Sequence, residues 1–200
     1  MSDPGTIPLA RRIRDFLVDR RVRFSVMTSV AAIALNLLLG QLPHEIYNYH
    51  DPATVVGLLL VVAGLGLRSW AAGVLLKGKA LTTIGPYGMC RHPLYVGTAL
   101  LVTGCATIFP GLLNGLPALL PMAFIFWLTM HREEQRMAGK YGAAWDAYAG
   151  RTPRFLPRRL PTTFTEGWSL AQWLRSREYN AVLAACCILV GLTVWSEFFR

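Results

Sequence analysis

Residues 93–130 read PLYVGTALLVTGCATIFPGLLNGLPALLPMAFIFWLTM, without one Asp, Glu, Lys or Arg. A bilayer core takes about 20 apolar residues as a helix, so this run is too long for one crossing. Pro110-Gly111 and Asn114-Gly115 stand near its middle, and such dipeptides mark turns. The run therefore predicts a tight helical hairpin of two short spans, 93–109 and 115–130. Working outward, Phe24–His44 and Tyr179–Ser196 are free of charge, and Pro52–Leu76 is interrupted only by Arg68. These add spans at 24–43, 53–76 and 179–197. Backbone polar groups in lipid must be satisfied within each segment, so the expectation is an all-α integral membrane protein with five transmembrane helices.

Composition agrees. The chain has 200 residues, 54% hydrophobic and only 16% charged, against about 25% charged in soluble domains. Its length predicts a single membrane domain, 1–200. The cysteines, Cys90, Cys105, Cys186 and Cys187, form no CxxC pair, so neither a disulfide framework nor a zinc site is expected. His44 and His50, with Glu45 and Asp51, show no ligand spacing of a known type. The net charge of +9 would ordinarily raise nucleic acid as a partner. Position decides otherwise. Every Lys and Arg except Arg68 and Arg200 falls in 1–23, 77–92 or 131–178. With five spans these all lie on one side, which puts the N-terminus in the cytoplasm and the C-terminus outside, in a plasma (inner) membrane. The positive charge then belongs to topology and to membrane lipids, with no nucleic acid partner. In residues 1–23, Leu9, Ile13, Phe16 and Leu17 recur at helical spacing against arginines, as in an interfacial amphipathic helix rather than a cleavable signal.

Chemistry-bearing residues gather beside spans three and four. Residues 84–97 contain Gly85-Pro86-Tyr87, then Arg91-His92-Pro93, Tyr95 and Gly97. Gly85-Pro86 is expected to end any helix arriving from span two, and Pro93 suits the first turn of span three. That places Arg91 and His92 at a positive helix end, suited to an anionic group. Span four is expected to run on into a cytoplasmic helical segment, 131–178, that begins with Glu133 and Glu134. Adjacent helical side chains diverge by about 100°, so one of the two carboxylates faces a given pocket directly. Tyr141, Trp145 and Tyr148 recur at i, i+4 and i+7 and predict one aromatic face.

The ordered set Gly-Pro-Tyr-x-x-x-Arg-His-Pro-x-Tyr-x-Gly, Glu-Glu, and Tyr-Gly-x-x-Trp-x-x-Tyr resembles the isoprenylcysteine carboxyl methyltransferase family and the related phospholipid N-methyltransferases. The resemblance covers about Gly57–Pro157. It implies a membrane methyltransferase that uses S-adenosyl-L-methionine without a Rossmann domain, and no GxGxxG follows a strand here. It also implies a cofactor site at Tyr87, Arg91, His92, Pro93, Tyr95, Gly97, Glu133 and Glu134, with Tyr141 and Tyr148 at its margin. Gly64-Leu65-Gly66 stands where the phospholipid enzymes carry a membrane Gly-x-Gly. Two features depart from the shared core: the fifth span and the Thr152-Pro153-Arg154 ending.

The residues suit that chemistry. Methyl transfer from a sulfonium is an in-line displacement that depends on positioning and desolvation. Arg91 suits the cofactor's carboxylate and Glu133 or Glu134 its ribose hydroxyls. Arg68 lies nine residues before Lys77, about 13 Å inward along a helix. An intramembrane arginine usually faces the bundle interior with a partner, so a carboxylate of substrate or cofactor is expected there, the alternatives being snorkelling to the cytoplasmic interface or pairing with a buried carboxylate such as Glu133. Arg68, Arg91 and Glu134 are the expected catalytic residues, and the acceptor is expected to be lipophilic.

Two other readings compete. Sterol-reductase-like NADPH oxidoreductases share the Lys-Tyr-Gly-x-x-Trp-x-x-Tyr run, Lys140–Tyr148 here, but carry Asn-Tyr-x-Gly-Asp where this chain has Leu94-Tyr95-Val96-Gly97-Thr98. A non-enzymatic scaffold would leave Arg68, Glu133 and Glu134 without a task. The topology is testable with an impermeant thiol reagent on intact cells. Cysteines introduced at Asn48 and Arg200 should label above the wild-type background, and one at Lys140 should not. Labelling at Lys140 contradicts the five-span arrangement.

Overall fold

The computed structural model describes residues 50–76, 80–108, 116–157 and 166–198, together with Met27, Ala31, Ala34, Leu35 and residues 38–40. The interfacial helix, most of span one, residues 43–49 of the outer loop and the Pro110–Gly115 turn lie outside the described residues. Among the described residues every regular element is helical.

Helix α1, Pro52–Val74, starts where the sequence predicts. The Asp51 carboxylate caps it, accepting from the Ala53 and Thr54 amides at 3.3 and 3.1 Å and from the Thr54 hydroxyl at 2.7 Å. Such a cap satisfies amides that the first turn leaves without partners. α1 ends at Leu75, which is extended. Gly85-Pro86 therefore does not stop this helix, which is already over. Instead Gly85 takes a positive φ of 57° and opens a short turn of helix, α2, Pro86–Met89. α3, Pro93–Thr107, follows with His92 at its N-cap position and Pro93 at the first helical position. α4, Leu116–Tyr141, runs unbroken from the second arm of the expected hairpin past Glu133 and Glu134.

Gly142, at φ 50°, breaks the chain between α4 and α5, Ala143–Arg151. The break corrects the expected aromatic face. Trp145 and Tyr148 are buried on α5, while Tyr141 closes α4 and is only half-buried. The i, i+4, i+7 count assumed one continuous helix, and a glycine in the left-handed region ends it. α6, Leu170–Arg175, is capped by Ser169, and α7, Tyr179–Phe198, matches the last expected span.

α1 and α7 are long and apolar enough to cross a membrane, and α3 is a shorter apolar helix. α1 and α3 pack antiparallel through glycine. A methyl group on Gly64 would stand 2.6 Å from the Gly97 carbonyl oxygen, and one on Gly104 would stand 2.6 Å from that of Gly57. Small residues at such crossings let backbones meet, which is how helices gain packing energy where lipid removes the hydrophobic drive.

The segment 166–178 crosses the end of α1. Trp168 lies over Gly73, where a methyl group would meet its indole, and its Nε1 donates to the Ser69 carbonyl at 3.2 Å. Ser169 N–H donates to the Gly73 carbonyl at 3.1 Å, and the Ser176 hydroxyl to that of Ala72 at 3.3 Å.

The two glycines of Gly64-Leu65-Gly66 should behave differently. A methyl group on Gly66 meets nothing within 4 Å. Gly64→Ala must push backbones apart and should destabilise by roughly 1–3 kcal/mol. Gly66→Ala should stay within about 0.5 kcal/mol of wild type. Equal melting shifts for the two variants in detergent would refute this account of the α1–α3 contact.

Candidate functional site

Three segments converge at the N-terminal end of α3. The first is the loop 84–92, which turns on Gly85 and delivers Arg91 and His92 to the helix start. The second is the part of α4 beyond its apolar run, carrying Glu133 and Glu134. The third is 148–155, which returns to the site after α5.

Glu134 is the meeting point. It is buried, and its carboxylate accepts from Arg154 Nε at 3.0 Å and Arg154 Nη2 at 2.6 Å, a two-pronged grip. His92 Nε2 stands 3.1 Å from Glu134 Oε1, and Arg91 Nη1 pairs with the same oxygen at 3.1 Å. Glu133 reaches the other side of the cluster. Its Oε1 accepts from the Tyr95 hydroxyl at 3.0 Å, and its Oε2 lies 4.0 Å from His92 Nδ1. Both carboxylates thus reach one site, where divergence along the helix had suggested only one. His92 and Tyr95 supply the missing width by standing between them. Glu133 keeps 32% side-chain exposure against 10% for Glu134, so the two differ in access to a ligand.

The electrostatics follow from burial and from these partners. Burial works to raise the Glu134 pKa, but hydrogen bonds from Arg154 and His92 and the charges of Arg91 and Arg154 outweigh it, and the net shift is downward. Burial lowers the His92 pKa, against the pull of Glu134 and Glu133. The hydrogen bond to Glu134 raises that of Arg154. Burial pushes the Cys90 thiol up to about 11, so it stays protonated near neutral pH. Arg91 Nε is buried and makes no hydrogen bond.

The remaining expected residues occupy supporting positions. Tyr87 is buried, and its carbonyl accepts from the Tyr148 hydroxyl at 2.7 Å, which ties α5 to the loop. Burial raises the pKa of both phenols, keeping them neutral. Pro93 is fully buried at the helix start. Gly97 admits the Arg68 stem, since a methyl group there would stand 2.5 Å from Arg68 Cγ. Tyr141 is not drawn into the cluster by any of these contacts.

Arg68 takes its partners from within the chain. Its Nε and Nη2 donate to Glu178 Oε1 and Oε2 at 2.7 and 3.0 Å, and Nη1 donates to the Thr98 hydroxyl. Glu178, between α6 and α7, is buried. Sequence reasoning reached neither Glu178 nor Arg154. Arg154 was visible only as part of an unusual ending, and Glu178 only as an acid just before a charge-free run.

An apolar wall completes the site. Met122, Phe126 and Met130 on α4 form a buried cluster with Tyr95, Val102, Leu119 and Phe155 against it. The Tyr95 ring meets Phe126 edge-on at 4.9 Å.

Comparison with known proteins is consistent with this geometry. A phospholipid methyltransferase family model matches residues 52–144. The cobalt-zinc-cadmium resistance protein CzcN of Cupriavidus metallidurans is 33% identical, covering 100% of this chain and 93% of that protein. The nickel-cobalt-cadmium resistance protein NccN of Alcaligenes xylosoxydans xylosoxydans is 33% identical, over 72% of this chain and 67% of its own length. A delta(14)-sterol reductase of Mus musculus is 39% identical over 40% of this chain but only 20% of that protein. No solved structure matches.

The cluster makes stability depend on pH with a definite sign. Folded His92 titrates below the ordinary value of 6.5, so under mildly acidic conditions the unfolded chain holds a proton that the folded chain lacks. Stability is then full above about pH 6.5 and falls as pH drops, because stability rises with pH wherever the unfolded state binds more protons. Glu134, held below its ordinary 4.5, adds a second loss at lower pH, as pH falls through its folded value. The melting temperature should therefore fall between about pH 7 and pH 5, and His92→Gln should flatten that part of the profile alone. A wild-type profile as flat as the variant's would contradict the assignment of a buried, neutral His92.

Proposed function

The chain belongs to the phospholipid methyltransferase family, and on that premise we propose that it is an integral membrane enzyme that methylates a lipophilic acceptor. One observation carries the reading. Arg91, His92 and Tyr95 from the start of α3 meet Glu133 and Glu134 from α4, inside the family-matched region and beside an apolar wall.

The residues present fit S-adenosyl-L-methionine as the cofactor. Arg91 carries a buried Nε–H with no partner, at a positive helix end, which suits the ligand's carboxylate. Glu133, the more open of the two acids, suits the ribose hydroxyls. Glu134 is engaged by Arg91, His92 and Arg154, and serves to hold those side chains rather than a ligand. The cofactor, when bound, supplies a methyl group on a positively charged sulfur. The chain's own contribution is to orient and to exclude water: the buried Met122–Phe126–Met130 cluster, with Tyr95 and Phe155 packed on it, adjoins the charged residues. The protonated Cys90 offers no competing nucleophile, so the acceptor brings its own. Arg68, closed on Glu178, is assigned to holding the head of α7 against α1 and α3.

We place the site on the cytoplasmic face, where the basic loops gather, with membrane lipids around the five spans. Two relatives are named for metal resistance. Among the described residues no group of three His, Cys, Asp or Glu side chains is placed to hold a metal ion. A part in metal resistance would then run through the methylated product in the membrane. The second reading, an NADPH-dependent reductase, is favoured by the partial match to sterol reductases.

Calorimetric titration of the detergent-purified protein separates the two. S-adenosyl-L-methionine should bind and NADPH should not. Arg91→Ala and Glu134→Ala should each weaken binding by roughly 1.5–3 kcal/mol, the scale of a hydrogen bond to a charged group. Binding of NADPH alone would turn the assignment to the reductase. Transfer of labelled methyl to a panel of membrane lipids and prenylated peptides then identifies the acceptor.

A further inference from the structure

The family-matched region ends at residue 144, yet the cluster is completed by residues beyond it. Pro153 accepts the Arg91 amide through its carbonyl at 2.9 Å. Arg154 grips both oxygens of Glu134. Phe155 packs on the Met122–Phe126–Met130 wall. Thr152, buried, closes α5 with its amide on the Tyr148 carbonyl at 3.0 Å. Pro153, Arg154 and Phe155 therefore each fasten the return segment to a different part of the site, while Thr152 ends α5.

We propose that Arg154 is a positioning residue for the methyltransferase site, acting through Glu134 to keep Arg91 available to a ligand's carboxylate. The inference rests on the methyltransferase reading given above. Glu134 carries one negative charge and receives two arginines and a histidine. Arg154 makes the two-bonded contact, which fixes both the position and the plane of the carboxylate. Arg91 meets that carboxylate through Nη1 at 3.1 Å and retains the unpartnered Nε–H. With Arg154 gone, Arg91 becomes the sole cation on a buried acid. Arg91 then turns its fork onto Glu134, and the ligand loses it. Arg154 itself is 41% exposed along its side chain, so it reaches the site from the solvent side and can be replaced without opening the core.

The test measures S-adenosyl-L-methionine affinity for wild type, Arg154→Met, Arg154→Lys, Glu134→Gln and the double variant Arg154→Met/Glu134→Gln, with melting temperature recorded for each. Arg154→Met should raise Kd about tenfold, and Arg154→Lys should recover only part of it, since a lysine keeps the charge without the fork. In the Glu134→Gln background the same substitution should change Kd less than about twofold, because two residues acting through one contact are not additive. A residue that merely supports the fold would lower affinity equally in both backgrounds. Equal losses overturn the proposal, as does an unchanged Kd in Arg154→Met. Should Arg154→Met fail to fold, Arg154→Lys carries the same comparison in both backgrounds. Absence of any binding by folded wild type would overturn the methyltransferase reading itself, a different outcome from wild-type binding that ignores Arg154.

Discussion

Two helices touching backbone to backbone govern the arrangement of everything near the site. Gly57 and Gly64 on α1 match Gly104 and Gly97 on α3, two close approaches separated by about two helical turns on each partner. Van der Waals packing is the main attraction left to apolar helices in lipid, and it falls off within an ångström of gap. Once those four positions are glycine, the register of α3 on α1 is set. That register puts the start of α3, and with it Arg91, His92 and Tyr95, at the level where α1 gives way to the loop. The wider side of α3 then takes α4 through Tyr95 and Val102 against the methionine–phenylalanine wall.

On that frame stands a cluster of opposite charges that balances locally. Arg91 and Arg154 both pair with Glu134, and His92 is buried between Glu134 and Glu133. A buried ion pair returns its desolvation cost only when its geometry is good and its remaining lone pairs are satisfied. Glu134 meets that condition, because Arg154 and Arg91 both reach it and His92 fills what remains. The surplus sits on Arg91, whose buried Nε–H is left over. Such a leftover donor is unusual in a folded protein, where most buried polar atoms find partners. It is the point at which the proposed cofactor would have something to add.

The helices of this fold were legible because membrane spans are written in the simplest code a sequence has, the absence of charge. α1, α3 and α7 begin and end within a few residues of the spans expected from charge and, for the end of α3, from the Pro110-Gly111 turn signal. Half of the site was legible for a related reason: Pro93 marks a helix start, and Arg91-His92 stand just before it. The other half was not. Arg154 meets Glu134 only because Gly142 turns the chain through a left-handed conformation, and the return path of 148–155 depends on the Tyr148–Tyr87 bond. No periodicity crosses a turn of that kind, and the same turn divided the supposed aromatic face. Arg68 was rightly read as needing a partner, yet an ion pair spanning 110 residues leaves no mark in spacing.

That separation has a bearing on how the protein is made. Arg68 enters the bilayer in the first described helix, but Glu178 is synthesised 110 residues later. Until the ribosome reaches Glu178, Arg68 stands in its helix without this counter-ion, at a cost of about 2.5–3.5 kcal/mol on insertion scales. Until then α1 has its glycine contact with α3 and the Arg68–Thr98 hydrogen bond. Glu178, just ahead of the final helix, supplies that counter-ion. The last helix, which lies outside the family-matched region, is thus tied at its head to α1 by an ion pair that can form only once both have been made.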